Sequence, residues 1–370
     1  MQQQRGLLEH EAVLNMNLQN DQSGTAAALE LRNLSVFLQG TGPDRNQGFF
    51  AVRDVDLKIA RGEAFGIIGE SGCGKSLTAR AILGLIPKVA RARMSGSVFL
   101  GSRPLHTYSE AELQKIRGRY AAIVFQDPLT ALSPFYTIGF QLLETLHAHE
   151  RLHHKEARLL ACHLLSSVGI SDPERRLSQY PHQFSGGMRQ RVVIAMALAH
   201  HPELLIADEP TTGLDAATQV DILNLLSHLR NNPSDWQQKS RAGEKMAILF
   251  ISHDFEAVSR LCSRVAVMYA GQIVEQGSTA RVLHEARHPY ARALLACLPQ
   301  WRPASEYTLR PLAGAPPGLN SRPMHVYSEA DHGSRCCFID RCPRRQILCE
   351  KAPSMGEHGY RCHFPVTLDS

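Results

Sequence analysis

The stretch Gly69-Glu70-Ser71-Gly72-Cys73-Gly74-Lys75-Ser76 has the spacing GxxxxGK[ST]. Glycines so placed let the backbone curl until successive N–H groups converge on anionic oxygens, and a helix starting at the end of the loop adds the positive end of its dipole. Lys75 is then placed to neutralise charge on β- and γ-phosphates, and the Ser76 hydroxyl to ligate Mg²⁺. Downstream, Leu204-Leu205-Ile206-Ala207-Asp208-Glu209 is an apolar run closed by two carboxylates. Asp208 at the end of such a strand can complete a Mg²⁺ shell, and Glu209 can orient or deprotonate a water in line with the γ-phosphate. A run ending in Asp-Glu also occurs wherever a strand meets a surface loop; the phosphate loop upstream is what gives this one a chemical meaning. Together the two stretches predict a nucleoside triphosphate and Mg²⁺ as ligands.

Such groups need rigid elements behind them. Ala64 to Ile68 is a short apolar run ending at Gly69, and Leu77 to Leu85 has helical spacing, so the phosphate loop is predicted between a strand and a helix. Leu204 to Ala207 and Ala247 to Ile251 are further short apolar runs of the kind that form parallel strands buried on both faces. Leu29 to Phe37 and Phe49 to Ile59 instead alternate apolar and polar residues, as half-buried strands do, and Gly40 to Gly48 between them reads as a loop. From Gly139 to Gly169 the pattern is helical, which predicts a helical subdomain over about 130–185. The fold class is therefore α/β, with a mixed sheet core and an inserted helical part.

With 370 residues, 44% hydrophobic and 20% charged, the chain has the composition of one or two globular domains. The net charge of +5 is spread along the sequence, so clusters such as Arg91 to Arg93 read as solvated surface, and no nucleic-acid partner is expected. No apolar run approaches the ~18 residues of a membrane span, so any membrane association is expected to come through a partner. The division expected is a Gln/Asn-rich N-terminal extension over 1–27, an ATPase domain over 28–280 and a C-terminal extension over 281–370. Met16 offers a second start for translation, and the prolines from Pro299 to Pro323 read as a linker.

Beyond the phosphate loop, several segments resemble motifs of the ABC ATPases, in that family's order. Phe184-Ser185-Gly186-Gly187-Met188-Arg189-Gln190-Arg191 resembles the signature sequence, Gln126 in Phe125-Gln126-Asp127-Pro128 the Q-loop, Gly213-Leu214-Asp215 the D-loop, and His253 in Ile251-Ser252-His253-Asp254 the switch histidine. The resemblance implies an ABC-type nucleotide-binding domain whose ATP lies between two such domains packed head to tail. One chain then supplies Gly69 to Ser76, Gln126, Asp208, Glu209 and His253, and the other supplies Ser185, Gly186 and Gly187; Asp215 of the D-loop is counted with the cofactor-binding residues. Gln126 is implied to contact Mg²⁺ and the attacking water and to report nucleotide state to a membrane subunit. An aromatic is expected on the adenine: Phe37 is the first choice, with Phe49 or Phe50 as alternatives, and plain core packing is the competing role for Phe37.

Over roughly residues 28–365 the sequence is similar to one branch, the ATPases of dipeptide and oligopeptide importers, which also includes nickel-import ATPases. Markers include Tyr180-Pro181-His182-Gln183, Val267-Met268-Tyr269-Ala270-Gly271 and His288-Pro289-Tyr290. The resemblance implies a peripheral subunit on the cytoplasmic face of a bacterial inner membrane. Its partners would be two integral-membrane permeases, a periplasmic substrate-binding protein and a paralogous second ATPase or a second copy of itself. A nickel or antimicrobial-peptide importer, and a soluble ABC-type ATPase acting on DNA or ribosomes, are the alternatives; the latter usually carries long coiled-coil insertions or a second ATPase domain. Cys336, Cys342, Cys349 and Cys362 look like the branch's C-terminal cysteine pattern, although Asp340 stands where a proline is expected before Arg341-Cys342. Four thiolates at such spacing can ligate a [4Fe–4S] cluster or Zn²⁺, or the cysteines can simply pack the tail. The absence of paired CxxC knuckles tilts the metal readings toward [4Fe–4S], and Cys337 could substitute for Cys336.

Overall fold

The structure, a computed structural model, describes residues 27–39, 48–86, 92–236, 245–297, 314 and 335–367. Residues 1–26 of the N-terminal extension expected over 1–27, most of the Gly40–Gly48 loop, and the 299–323 linker apart from Gly314 lie outside these residues, and Ala27 already belongs to the first strand.

Two sheets form the frame. β1 (Ala27–Gln39), β2 (Gly48–Ala60), β4 (Arg93–Leu100) and the two-residue β5 (Arg103–Pro104) make an antiparallel sheet in the order β2-β1-β4-β5. The second sheet runs β10-β9-β3-β8-β7-β6. In it β6 (Ala121–Val124), β7 (Leu204–Asp208), β8 (Ala247–Ser252), β3 (Ala64–Ile68) and β9 (Arg264–Tyr269) are parallel, and β10 (Gln272–Ser278) closes one edge antiparallel to β9. Every residue of β3, β7 and β8 is buried, as the continuous apolar runs predict.

Side-chain parity divides the core. Phe65, Ile67, Leu204, Ile206, Leu249 and Ile251 face the antiparallel sheet and pack with Leu31, Val36, Val55 and Leu57. Their neighbours Ala64, Ile68, Leu205, Ala207, Ile248 and Phe250 face the other way, onto the helices. A strand residue sends its side chain to one face and the next residue to the other, so a five-residue run joins two cores. Burial of each large aliphatic or aromatic side chain contributes about 1.5–3 kcal/mol. Fully apolar strands therefore anchor the central sheet, whose strand ends carry the polar residues described below.

The helix expected over Leu77 to Leu85 spans Lys75–Ile82: it begins two residues earlier, inside the phosphate loop, and ends before the Leu83-Gly84 turn. Between β6 and β7 lie helices Pro128–Ala131, Ile138–His147, His154–Ser167, Pro173–Leu177 and Gly186–Leu198. Ser185 caps the last of these, its Oγ accepting from Met188 N–H at 3.3 Å. After β10 come Thr279–Glu285 and Pro289–Ala296, and the tail from Arg335 onward holds short 3₁₀ turns. No helix among the described residues is long and apolar enough to cross a membrane.

Candidate nucleotide site

β3 delivers the phosphate loop, and the local geometry requires its glycines. Gly74 caps the helix Lys75–Ile82 at φ 113°, where a Cβ would also stand 2.6 Å from the Ala51 carbonyl oxygen. No other residue type meets both demands. Lys75 is buried, and its Nζ donates to the carbonyls of Gly69 (2.8 Å) and Glu70 (3.0 Å), bridging the loop it is placed to serve. Cys73 lies beneath, its thiol pushed up by burial and so held in the neutral form.

β7 delivers the carboxylates beside it. Ser76 Oγ donates to Asp208 Oδ1 at 2.9 Å, joining two of the three groups expected around Mg²⁺, while the third, Gln126, bonds to Glu209. Burial raises the Asp208 pKa, only partly offset by the Ser76 hydrogen bond, so the site favours a cation that would compensate the buried charge. Hard oxygen donors of this kind suit Mg²⁺, and the loop's geometry suits a polyphosphate; the residues present fit both groups.

Glu209 is held in the left-handed region at φ 49°, a conformation that costs a non-glycine residue of order 1–3 kcal/mol and persists where the surrounding structure over-determines the backbone. Its N–H donates to Ile251 O at 2.9 Å. Three groups meet at its Oε2: Gln126 Nε2 at 3.0 Å, Thr212 Oγ1 at 3.0 Å and His253 Nδ1 at 3.4 Å. The carboxylate is nearly buried while the His253 ring is more than half exposed, so the histidine forms the solvent side of the cluster. Gln126 follows β6 and His253 follows β8, so three adjacent parallel strands bring their C-terminal ends together here.

The remaining predicted residues stand elsewhere. Ser185, Gly186 and Gly187 open the helix Gly186–Leu198 and pack toward the Asp215 turn: Cβ atoms added at Gly186 and Gly187 would meet Leu214 and Thr218. Asp215 caps the helix Ala216–Asn231, accepting from Thr218 N (3.0 Å) and Thr218 Oγ1 (2.7 Å), and these bonds lower its pKa. Phe37 is buried in β1, edge-to-face with Phe50 at 5.2 Å, whereas Phe49 and Phe50 are part-exposed. The pair lies near the phosphate loop, because Ala51, next to Phe50, backs Gly74.

Cys336, Cys342, Cys349 and Cys362 line one cavity with His288 and His363. Among the described residues, however, no three His, Cys, Asp or Glu side chains stand in metal-holding geometry. Hydrogen bonds from Cys337 and His288 draw the Cys336 thiol downward, and burial pushes Cys342 and Cys362 up.

Sequence reasoning missed three residues. Thr212 stands three positions after Glu209, where the Pro-Thr-Thr following the acidic pair was the available signal. Tyr290, whose hydroxyl accepts from the Glu70 N–H at 3.0 Å, and Arg341, which pairs with the Glu70 carboxylate, sit in segments that mark the branch, but nothing local points to their contact with a loop so far along the chain.

A strand–phosphate loop–helix unit, an acidic strand end and a gathered glutamate on a largely parallel sheet are the machinery of a nucleotide-hydrolysing cassette. Residues 52–212 match the family model described as ABC transporter, and residues 274–349 match the oligopeptide/dipeptide transporter C-terminal region. A probable peptide ABC transporter ATP-binding protein of Sinorhizobium fredii is 44% identical over 83% of this chain and 86% of its own length. The dipeptide transport ATP-binding protein DppD of Escherichia coli is 41% identical over 87% of this chain and 93% of its own. A solved dimeric ATP-binding cassette, in a post-hydrolysis state with ADP and phosphate, aligns at TM-score 0.57 and 27% identity over 68% of this chain and 98% of that one. The chain belongs to the ATP-binding proteins of ABC transporters, in the oligopeptide/dipeptide branch. It is an ABC-type ATPase that binds ATP and Mg²⁺.

Proposed function

We propose that the chain energises uptake of dipeptides or oligopeptides by hydrolysing ATP at the site formed by Gly69–Ser76, Gln126, Asp208, Glu209 and His253. The observation that carries the hydrolytic assignment is the convergence of Gln126, Thr212 and His253 on Glu209 Oε2, one residue from the Asp208–Ser76 pair. Lys75, now on the loop carbonyls, would turn to the phosphate oxygens, and Ser76 Oγ and Asp208 would hold the metal. Bound Mg²⁺ supplies Lewis-acid neutralisation of the phosphate charge. Glu209 accepts a proton from, or orients, the attacking water, with Gln126 and His253 fixing its carboxylate. Adenine stacking falls to the three aromatics beside the loop, with Phe50 and Phe49 offering the part-exposed rings and Phe37 backing Phe50.

The signature segment Ser185–Gly187 and Asp215 serve the ATP of a second nucleotide-binding domain, either a paralogous chain or another copy. The other proposed partners are two permeases and a periplasmic substrate-binding protein, which place this subunit on the cytoplasmic face of a bacterial inner membrane. The peptide substrate rests on the names of the relatives and on the match to the oligopeptide/dipeptide C-terminal region. Uptake of a labelled di- or tripeptide by cells carrying the wild-type or Lys75→Ala chain tests it. Loss of uptake in the variant is expected; unchanged peptide uptake together with impaired nickel uptake would favour the metal-import reading.

We further propose that the four tail cysteines take a [4Fe–4S] cluster, their shared cavity being the support. Anaerobic purification followed by iron, sulfide and zinc analysis is the test. Stoichiometric iron and sulfide are expected, and a colourless, metal-free protein would remove the proposal.

A further inference from the structure

The cysteine-rich tail reaches the phosphate loop through one ion pair. Arg341 donates from Nη1 to Glu70 Oε2 at 2.9 Å and from Nη2 to Glu70 Oε1 at 3.2 Å, a two-pronged contact in which the arginine side chain is only 6% exposed. Such forked pairs fix direction as well as charge. Tyr269 OH lies 3.5 Å from Nη1. Arg341 closes a 3₁₀ turn over Ile339–Arg341, and the preceding Phe338, 1% exposed, wedges against Tyr269, Tyr290 and His288 with ring centroids 5.1, 5.5 and 5.8 Å away. Tyr290, also buried and with its phenol held neutral by burial, accepts from the Glu70 backbone N–H. Glu70 is thus gripped at both its backbone and its carboxylate by residues of the C-terminal region.

Glu70 occupies an awkward place for an acid. It is the second residue of the phosphate loop, and its carbonyl is one of the two that Lys75 Nζ holds. A free carboxylate on a loop that receives a polyphosphate repels the ligand and competes for Lys75. We propose that Arg341 is a positioning residue for nucleotide binding: it holds the Glu70 carboxylate out of the phosphate cradle, so that ATP affinity depends on the folded tail. This rests on the reading of Gly69–Ser76 as the cradle.

The test is titration of the full chain with a fluorescent ATP analogue and Mg²⁺, comparing wild type, Arg341→Ala, Arg341→Lys, Glu70→Gln and the double variant Glu70→Gln/Arg341→Ala. Arg341→Ala is expected to weaken binding roughly tenfold, in the range of coupled charge pairs, with Arg341→Lys falling between it and wild type. Neutralising Glu70 removes the need for Arg341, so the double variant should recover to within about threefold of wild type. A role of Arg341 in merely folding the tail predicts no such recovery. Wild-type affinity in Arg341→Ala, or a double variant as weak as Arg341→Ala, overturns the proposal. Lys75→Ala run in parallel tests the cradle separately: if it binds as wild type, the cradle reading itself fails.

Discussion

Gln126 Nε2 donates to Glu209 Oε2 at 3.0 Å, tying the loop after β6 to the end of β7 across adjacent parallel strands. A residue proposed to sense nucleotide is therefore bonded directly to the residue proposed to act on water. A displacement of the loop around Gln126 would pull on this carboxylate, a physical route for the proposed communication with a membrane partner.

Removing that donor should leave binding and reduce turnover. Gln126→Ala is expected to lower kcat at least about tenfold, as loss of a positioned donor does, with the Kd for ATP changed little. Steady-state ATPase assays beside equilibrium titration check this; a parallel loss of affinity would mean that Gln126 acts mainly through binding.

The signature segment should behave in the opposite geometric sense. A Cβ at Gly187 would stand 2.5 Å from Thr218 Cγ2, so Gly187→Ala must displace either the start of the helix Gly186–Leu198 or the Thr218 side chain bonded to Asp215. ATP binding to the isolated chain should stay within about twofold if the segment serves another chain's nucleotide as proposed, while ATPase of the assembled pair falls at least about tenfold. Unchanged ATPase in the assembled pair would contradict the assignment.

Glu275 is fully buried and accepts from the N–H groups of Arg287 and His288 and from Arg281 Nη1 at 3.0 Å. It fixes the start of the C-terminal region that carries Tyr290. Glu275→Ala removes the anion and strands these donors, with an expected loss of about 3–5 kcal/mol measured by chemical denaturation. A change below about 1 kcal/mol would show that the donors find other acceptors.

His200 carries a pH dependence. Burial lowers its pKa, helped by His149 and Arg119 and opposed by the Thr145 carbonyl and Glu150. The folded state therefore prefers the neutral ring. That stabilisation is complete above the unfolded value, about 6.5, and is lost as pH falls toward the lower folded value. His200→Gln, which keeps a donor for the Thr145 carbonyl, should show a smaller drop in Tm between pH 7 and pH 5 than wild type; an equal drop would place the effect elsewhere.

What the sequence made legible was local. The phosphate loop, β3, β7 and β8 could be read because an apolar run ending in polar residues has few other uses, and Glu209 and Asp208 follow from their place at a strand end. The helix after the loop starts two residues before its apolar spacing begins, because Lys75 and Ser76 belong both to the loop and to the first turn. Arg341 and Tyr290 were invisible as neighbours of Glu70, since contacts spanning 271 and 220 residues leave no periodicity behind. The burial of Phe37 likewise depends on its register opposite Phe50, which alternation alone does not fix.

The central claim is that Glu209, gathered by Gln126, Thr212 and His253, drives ATP hydrolysis at this site. Mg²⁺-dependent phosphate release by the wild-type and Glu209→Gln chains, assembled with their partner domain and measured beside ATP binding, tests it most directly. Glu209→Gln is expected to retain ATP binding and to lose turnover by about 10²-fold or more, and unchanged turnover in that variant would contradict this role of Glu209.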